Sequence, residues 1–178
     1  MSKVITFSRT YPSYHPKAGQ PTYFVEKVQG SLYHQRVDLS AYLKDPDMFM
    51  RNNWFDKTPK HHTVRAGHRW KAGDWFSPRV WSGKPYRSKM IQFAPDIQVK
   101  KTWDFEMKMV RVNGQLDLHG FVNRNLIDGP KRPALIAAND GLELQDFTDW
   151  FCKKGQKFIV GLPIFDGQII AWNESIEY

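Results

Sequence analysis

Apolar and polar positions alternate in several short runs of this chain and shift to a helical period in two others. In VITFSRT, Ile5 and Phe7 flank Thr6 and Ser8, a period of two that predicts a first strand. YPSYHPKAGQP follows and is too rich in Pro and Gly to hold a regular element. TYFVEKVQGSLY places Phe24, Val25, Val28 and Leu32 on one side of a helix, with Pro21 and Thr22 near its start. DWFSPRVW reads as a strand and KMIQF begins another. DIQVKKTWDFEMKMVRV alternates over a length that predicts a long strand or bent ribbon, and Asn113-Gly114 predicts a hairpin turn into QLDLHGFV. Ala134 to Asp140 reads as a short helical or turn segment. LELQDFTDWF spaces Leu142, Phe147 and Phe151 near helical intervals, with acids toward its start as the helix dipole favours. KFIVGLPIF and QIIAW flank Asp166-Gly167, a second expected hairpin. Mostly antiparallel strands with two peripheral helices predict a small α+β barrel.

There is no repeat, low-complexity tract or linker, and 178 residues suit one domain spanning the whole chain. Residues 34–56, with the helix-like pieces SAYLKD and MFMRNNWF around Pro46, read as an insertion. Hydrophobic residues make up 41% of the chain and aromatics 15%, enough for a packed core. The one cysteine, Cys152, forms no internal disulfide, which points to a reducing compartment. The start, MSKVITFSRTY, lacks the apolar run of a signal peptide, and no segment reaches the ~20 apolar residues of a membrane span. The expectation is a cytoplasmic protein with no membrane partner.

Charge changes the picture because of where it sits. Between Lys57 and Ile91 there are nine Lys or Arg residues and one acid, Asp74, so this segment carries the whole of the +8 excess. A one-sign cluster draws anions, whereas a merely solvated face mixes signs. Trp70, Trp75, Phe76, Trp81 and Tyr86 are interleaved with the cations. Cations for phosphates and rings for base stacking are the ingredients of a single-stranded nucleic-acid surface. Each ring taken alone reads more readily as a core residue of a strand. The candidate contacts are Arg65, Arg69, Lys71, Trp70, Arg79, Trp81, Lys84 and Arg87.

KHHTVRAGHRWKAGD, residues 60–74, holds the candidate chemistry: His61, His62 and His68 beside four Lys or Arg residues and Thr63. A structural zinc site wants four ligands, but the only cysteine is ninety residues from His62 and no acidic pair stands nearby. Adjacent histidines on a strand also face opposite sides. No metal or other cofactor is expected. A threonine hydroxyl becomes a nucleophile when a neighbouring base takes its proton, and a lysine serves as that base once burial and like charges lower its pKa. Lys60 and Thr63 are three apart, so they meet only where the chain bends near His61-His62. Otherwise Lys60 is an exposed cation and Thr63 an ordinary strand residue.

The ordered set of an amphipathic helix (TYFVEKVQGSLY), K-x-x-T-x-R (Lys60 to Arg65 in KHHTVR) and K-x-G-D (Lys71 to Asp74) resembles the ASCH domain family. DGLELQDFTDWF and FDGQIIAW resemble its C-terminal helix and closing strand. The matched blocks cover about half of the chain. The resemblance implies a PUA-like β-barrel and RNA- or nucleotide-directed work in a cleft beside it. One branch of the family hydrolyses the acetyl amide of N4-acetylcytidine with a lysine base, a threonine nucleophile and a glutamate proton donor. By motif position these correspond to Lys60, Thr63 and Asp140, with aspartate standing where the family has glutamate. Residues near 34–56 and 111–133 are additions to that minimal enzyme. Asp140-Gly141 ahead of a helix is also a common turn and capping arrangement.

Three functions follow. The first is a module binding RNA, single-stranded nucleic acid or a modified nucleoside in a basic, aromatic-lined cleft. The second is an amidohydrolase for an acylated cytidine, and the third a ribonuclease. Oligomeric state is not legible in the sequence.

Overall fold

The computed structural model describes residues 3–43, 57–127, 131–152 and 159–178. MFMRNNWF and the rest of 44–56 lie outside the described residues, as does the Lys157-Phe158 start of KFIVGLPIF. The elements run β1 (Lys3–Thr6), α1 (Phe24–His34), a 3₁₀ turn (Ser40–Tyr42), β2 (His62–Ala66), β3 (Trp75–Trp81), β4 (Met90–Gln92) and β5 (Ile97–Gln98). They continue with β6 (Lys101–Val112), β7 (Gln115–Val122), β8 (Asn125–Leu126), α2 (Lys131–Asn139), α3 (Leu144–Phe151) and β9 (Pro163–Ala171).

The fold is mixed α+β with two sheets. One has the order β1-β3-β4, with β5 also paired to β3; the other has the order β2-β9-β6-β7-β8. No closed barrel forms among the described strands. β1 and β3 are parallel, the exception to an otherwise antiparallel ladder. The run DIQVKKTWDFEMKMVRV is divided between the sheets. Ile97-Gln98 pairs with β3, and from Lys101 the chain pairs with β9. Val99 N donates to Asp74 O and Lys100 N to Ala171 O, so the crossing occupies one residue step.

The two expected hairpins part company. Asn113 and Gly114 have φ of 49° and 82°, the double positive φ of a tight hairpin turn, between β6 and β7. Asp166 and Gly167 make no turn. They lie inside β9, with Gly167 between Phe105 of β6 and Ala66 of β2. A Cβ on Gly167 would stand 2.1 Å from Arg65 O, so the glycine serves close backbone approach.

Rings from both sheets close the core. Trp172, just past β9, meets Phe7 at 6.3 Å and Phe76 at 5.9 Å, both edge-on. Phe24, Val28 and Leu32 of α1 are buried against this cluster, with Val25 at its edge. Trp70 also belongs to the core: it is 3% exposed and packs edge-on against Phe76 at 6.0 Å. That corrects its expected place on a binding face. Its backbone is clamped by the Gln168 side chain, which accepts from Trp70 N at 3.0 Å and donates to Trp70 O at 3.2 Å. No helix among the described residues is long and apolar enough to cross a membrane.

Candidate active-site pocket

Lys60 precedes β2 and is placed by its backbone. Lys60 N donates to Lys27 O of α1 and His61 N to Asn139 O of α2, which bends the chain before the strand begins. The bend brings Lys60 and Thr63 to one hollow despite their three-residue spacing. His61 and His62 diverge. His61 Nδ1 lies 2.8 Å from Ser31 Oγ, and His62 Nδ1 lies 2.5 Å from Tyr178 Oη. Among the described residues no cluster of His, Cys, Asp and Glu is arranged to hold a metal.

Asp140 arrives from the other end of the chain. Gly141, at φ 75°, donates to Ala138 O, and Leu142 N donates to Ala137 O, the two bonds of a Schellman cap on α2. Asp140 is therefore the C-cap residue of α2 and not the cap of α3, whose N-cap is Glu143. A Cβ on Gly141 would stand 3.1 Å from Lys27 Cδ and 3.2 Å from Lys60 Cβ, so this turn presses directly against the lysine. Lys27 Nζ donates to Gly141 O and ties the turn to α1.

The result is a buried ion pair at a pocket wall. Lys60 Nζ donates to Asp140 Oδ1 at 2.5 Å and to Asp140 O at 2.6 Å, 4.3 Å from the Phe24 ring centroid. The two side chains are 1% and 8% exposed. Burial pushes Lys60 down to about 8, against the opposing pull of Asp140, and Arg65 and Lys27 add to the fall. Burial pushes Asp140 up, against the pull of Lys60. Both members are thus moved toward their neutral forms.

The pocket has a volume of about 330 Å³ and is lined by Lys60, Thr63, Arg65 and Asp140. The rings of Phe24, Trp81, Tyr86 and Trp150 surround them. The Thr63 hydroxyl has no hydrogen bond among the described residues, though the residue is 4% exposed. Arg65 is tied back to β1: its guanidinium donates to Thr6 O at 2.6 Å and lies 5.4 Å from the Phe7 ring centroid. Burial lowers Arg65 to about 10, which leaves it charged at neutral pH.

The remaining expected contacts separate. Trp81 lines the pocket and lies 5.3 Å from the Tyr86 ring. Lys84 and Arg87 sit on the exposed 82–89 connection, whose Gly83, Pro85 and Tyr86 form the pocket's mouth. Arg69 and Lys71 belong to a different loop, where Lys71 N donates to Asp74 and Lys3 donates to Asp74 and to Arg69 O. Arg79 donates to Ser77 Oγ and does not line the pocket. Sequence reasoning missed Arg9 and Thr10, which line the pocket where the chain leaves β1, and Trp150 on α3. Only their position just past a strand or within an amphipathic helix marks them, and neither is a motif. Comparison of the chain with family models, with curated proteins and with solved structures gives no match in any of the three.

Proposed function

We propose that the pocket receives a single acylated pyrimidine ring, as in N4-acetylcytidine, and hydrolyses its exocyclic amide. The observation that carries this reading is the convergence of Lys60, Thr63 and Asp140 on one small cavity, with the lysine and the acid both buried. A volume of about 330 Å³ suits a small molecule or a single base. The surrounding rings offer faces for a planar base.

The competent state is one proton away from the ion pair. Transfer along the 2.5 Å Lys60–Asp140 hydrogen bond leaves a neutral amine and a carboxylic acid, the base and the acid that amide cleavage needs. Lys60 then takes the proton from Thr63 Oγ1 as that oxygen bonds to the acyl carbon. Asp140 gives its proton to the exocyclic nitrogen as the carbon–nitrogen bond breaks. In the second half Asp140 takes a proton from water, whose oxygen bonds to the acyl carbon, and Lys60 returns its proton to Thr63 as the ester breaks. Atoms and protons balance, and both groups end as they began. The two-sheet architecture with flanking helices supports a PUA-like, ASCH-type reading of the fold as part of the same proposal.

The test is acetate release from N4-acetylcytidine by the parent protein and by Lys60→Met and Thr63→Val. Turnover that falls by ~10²–10⁴ in each variant is the expected result, and a parent protein that releases no acetate refutes the reading.

A second reading, binding of single-stranded RNA without chemistry, has its own support. Tyr86 is 90% exposed at the pocket mouth, and Lys84 and Arg87 flank it on the same connection. Affinity that falls steeply with salt, without acetate release, selects it.

A further inference from the structure

His62 is 0% exposed and lies behind the pocket wall. Its Nδ1 is 2.5 Å from Tyr178 Oη, which also receives a hydrogen bond from Asn139 Nδ2 at 3.0 Å. A phenol that accepts from an amide is free to donate its own proton, and the acceptor in reach is His62 Nδ1. With the phenol as the donor, the neutral ring carries its hydrogen on Nε2. That nitrogen is buried without a hydrogen-bond partner among the described residues, and Asp140 Oδ1 stands 3.7 Å from it. A buried N–H left unpaired loses its hydration without compensation, so its retention here calls for a reason.

We propose that His62, held by Tyr178 and Asn139, is a positioning residue for Asp140. Its Nε2–H stands beside the same oxygen that Lys60 holds, so Oδ1, the oxygen that receives the Lys60 proton, is faced by the lysine on one side and the imidazole on the other. When Lys60 turns its proton toward Thr63, His62 keeps Oδ1 in place. This deepens the amide-hydrolysis reading and rests on it for the meaning of Asp140's orientation. The ring's protonation state agrees: burial pushes His62 well below its ordinary range, and the neighbouring Lys60 and His61 lower it further. Tyr178 is pushed up by burial and by Asp140, so it stays a protonated donor. The groups around the ring are thus Lys60, His61, Asp140 and Tyr178, with Trp103 packed edge-on against Tyr178 at 5.0 Å.

The test is nuclear magnetic resonance on the full ligand-free chain. Long-range ¹⁵N–¹H spectra of His62 at neutral pH are expected to show the Nε2–H tautomer; an Nδ1–H tautomer or an imidazolium overturns the proposal. Carboxyl ¹³C titration of Asp140 supplies the second arm. Removing the donor in His62→Leu raises the Asp140 midpoint by about one pH unit, a tenfold change in proton affinity. His62→Gln, which can place an amide N–H there, brings it back toward the parent value. An unchanged midpoint in His62→Leu overturns the proposal. Should that variant fail to fold, the parent tautomer and the Tyr178→Phe spectrum, in which the Nε2–H preference is lost, decide it. Neither arm depends on turnover, so a failure to release acetate strikes the hydrolysis reading and leaves the geometry of His62 and Asp140 to be judged by itself.

Discussion

The Lys60–Asp140 pair sets up a double-mutant cycle whose outcome separates a functional ion pair from a stabilising one. Its side chains are 1% and 8% exposed and 2.5 Å apart. Losing one partner strands the other in the interior, at a cost of ~3–5 kcal/mol. Replacing both by apolar groups of similar size removes two desolvation penalties, and such replacements are often neutral or stabilising. Lys60→Met and Asp140→Leu should therefore each lose ~3–5 kcal/mol in urea unfolding at pH 7, or ~6–20 °C in Tm for a chain of this size. The double variant Lys60→Met/Asp140→Leu should return to within ~1 kcal/mol of the parent or exceed it. The pH dependence carries a sign. Lys60 is depressed in the folded state, so the unfolded chain binds the extra proton between pH 8 and 10.5. The Lys60 contribution accordingly rises with pH across that window and is least favourable below it. The parent should gain stability from this group between pH 7.5 and ~9.5, and Lys60→Met should lack that gain. Additive losses in the double variant would refute the reasoning, because they would mean that the pair holds the fold together.

Three further outcomes follow from other parts of the structure. Gly167→Ala forces a Cβ into the 2.1 Å space before Arg65 O, so it should cost ~3 kcal/mol or more and loosen the β2–β9 pairing; unfolding and amide exchange at Val64 to Ala66 measure both. His68 reaches Asp166 and Asp104 at 2.9 Å each, and those bonds raise it above 6.5. Its stabilisation is full below pH 6.5 and is lost as pH rises through the raised folded value. Because the ring is 41% exposed, the loss should stay under ~1 kcal/mol; an imidazole NMR titration checks the direction. Tyr86→Ala, at a position 90% exposed, should leave unfolding within ~0.5 kcal/mol of the parent while weakening a bound nucleoside by ~1–3 kcal/mol, as read by calorimetry.

Local periodicity carried the elements well. The apolar spacing of Phe24, Val28 and Leu32 marks α1, and the alternation around Ile5 and Phe7 marks β1, because each pattern matches the geometry of the element it builds. Asp166-Gly167 was misleading for a physical reason. A glycine that permits a turn also permits a second backbone to approach, and which of these is used depends on β2, a strand a hundred residues upstream. The same limit hid the change of sheet after Val99, since DIQVKKTWDFEMKMVRV gives no sign that its two ends have different partners.

The cationic stretch shows where linear reading of charge stops. Nine Lys or Arg residues between 57 and 91 suggest one electropositive surface, but the fold distributes them. Lys60 and Arg65 turn inward, Lys71 and Lys3 meet at Asp74 beside the Arg69 carbonyl, and Lys84 and Arg87 sit on the exposed 82–89 connection. The partner that gives Lys60 its character, Asp140, lies eighty residues away and is delivered by the Schellman cap of α2. Among the charged groups lining this pocket, the lysine and acid are already paired and buried, while Arg65 is tied to β1 and Arg9 is exposed. On the proposed reading, a neutral planar group that enters past Arg9 meets within only the paired Lys60 and Asp140 and the tied Arg65, and so strands no charge of its own.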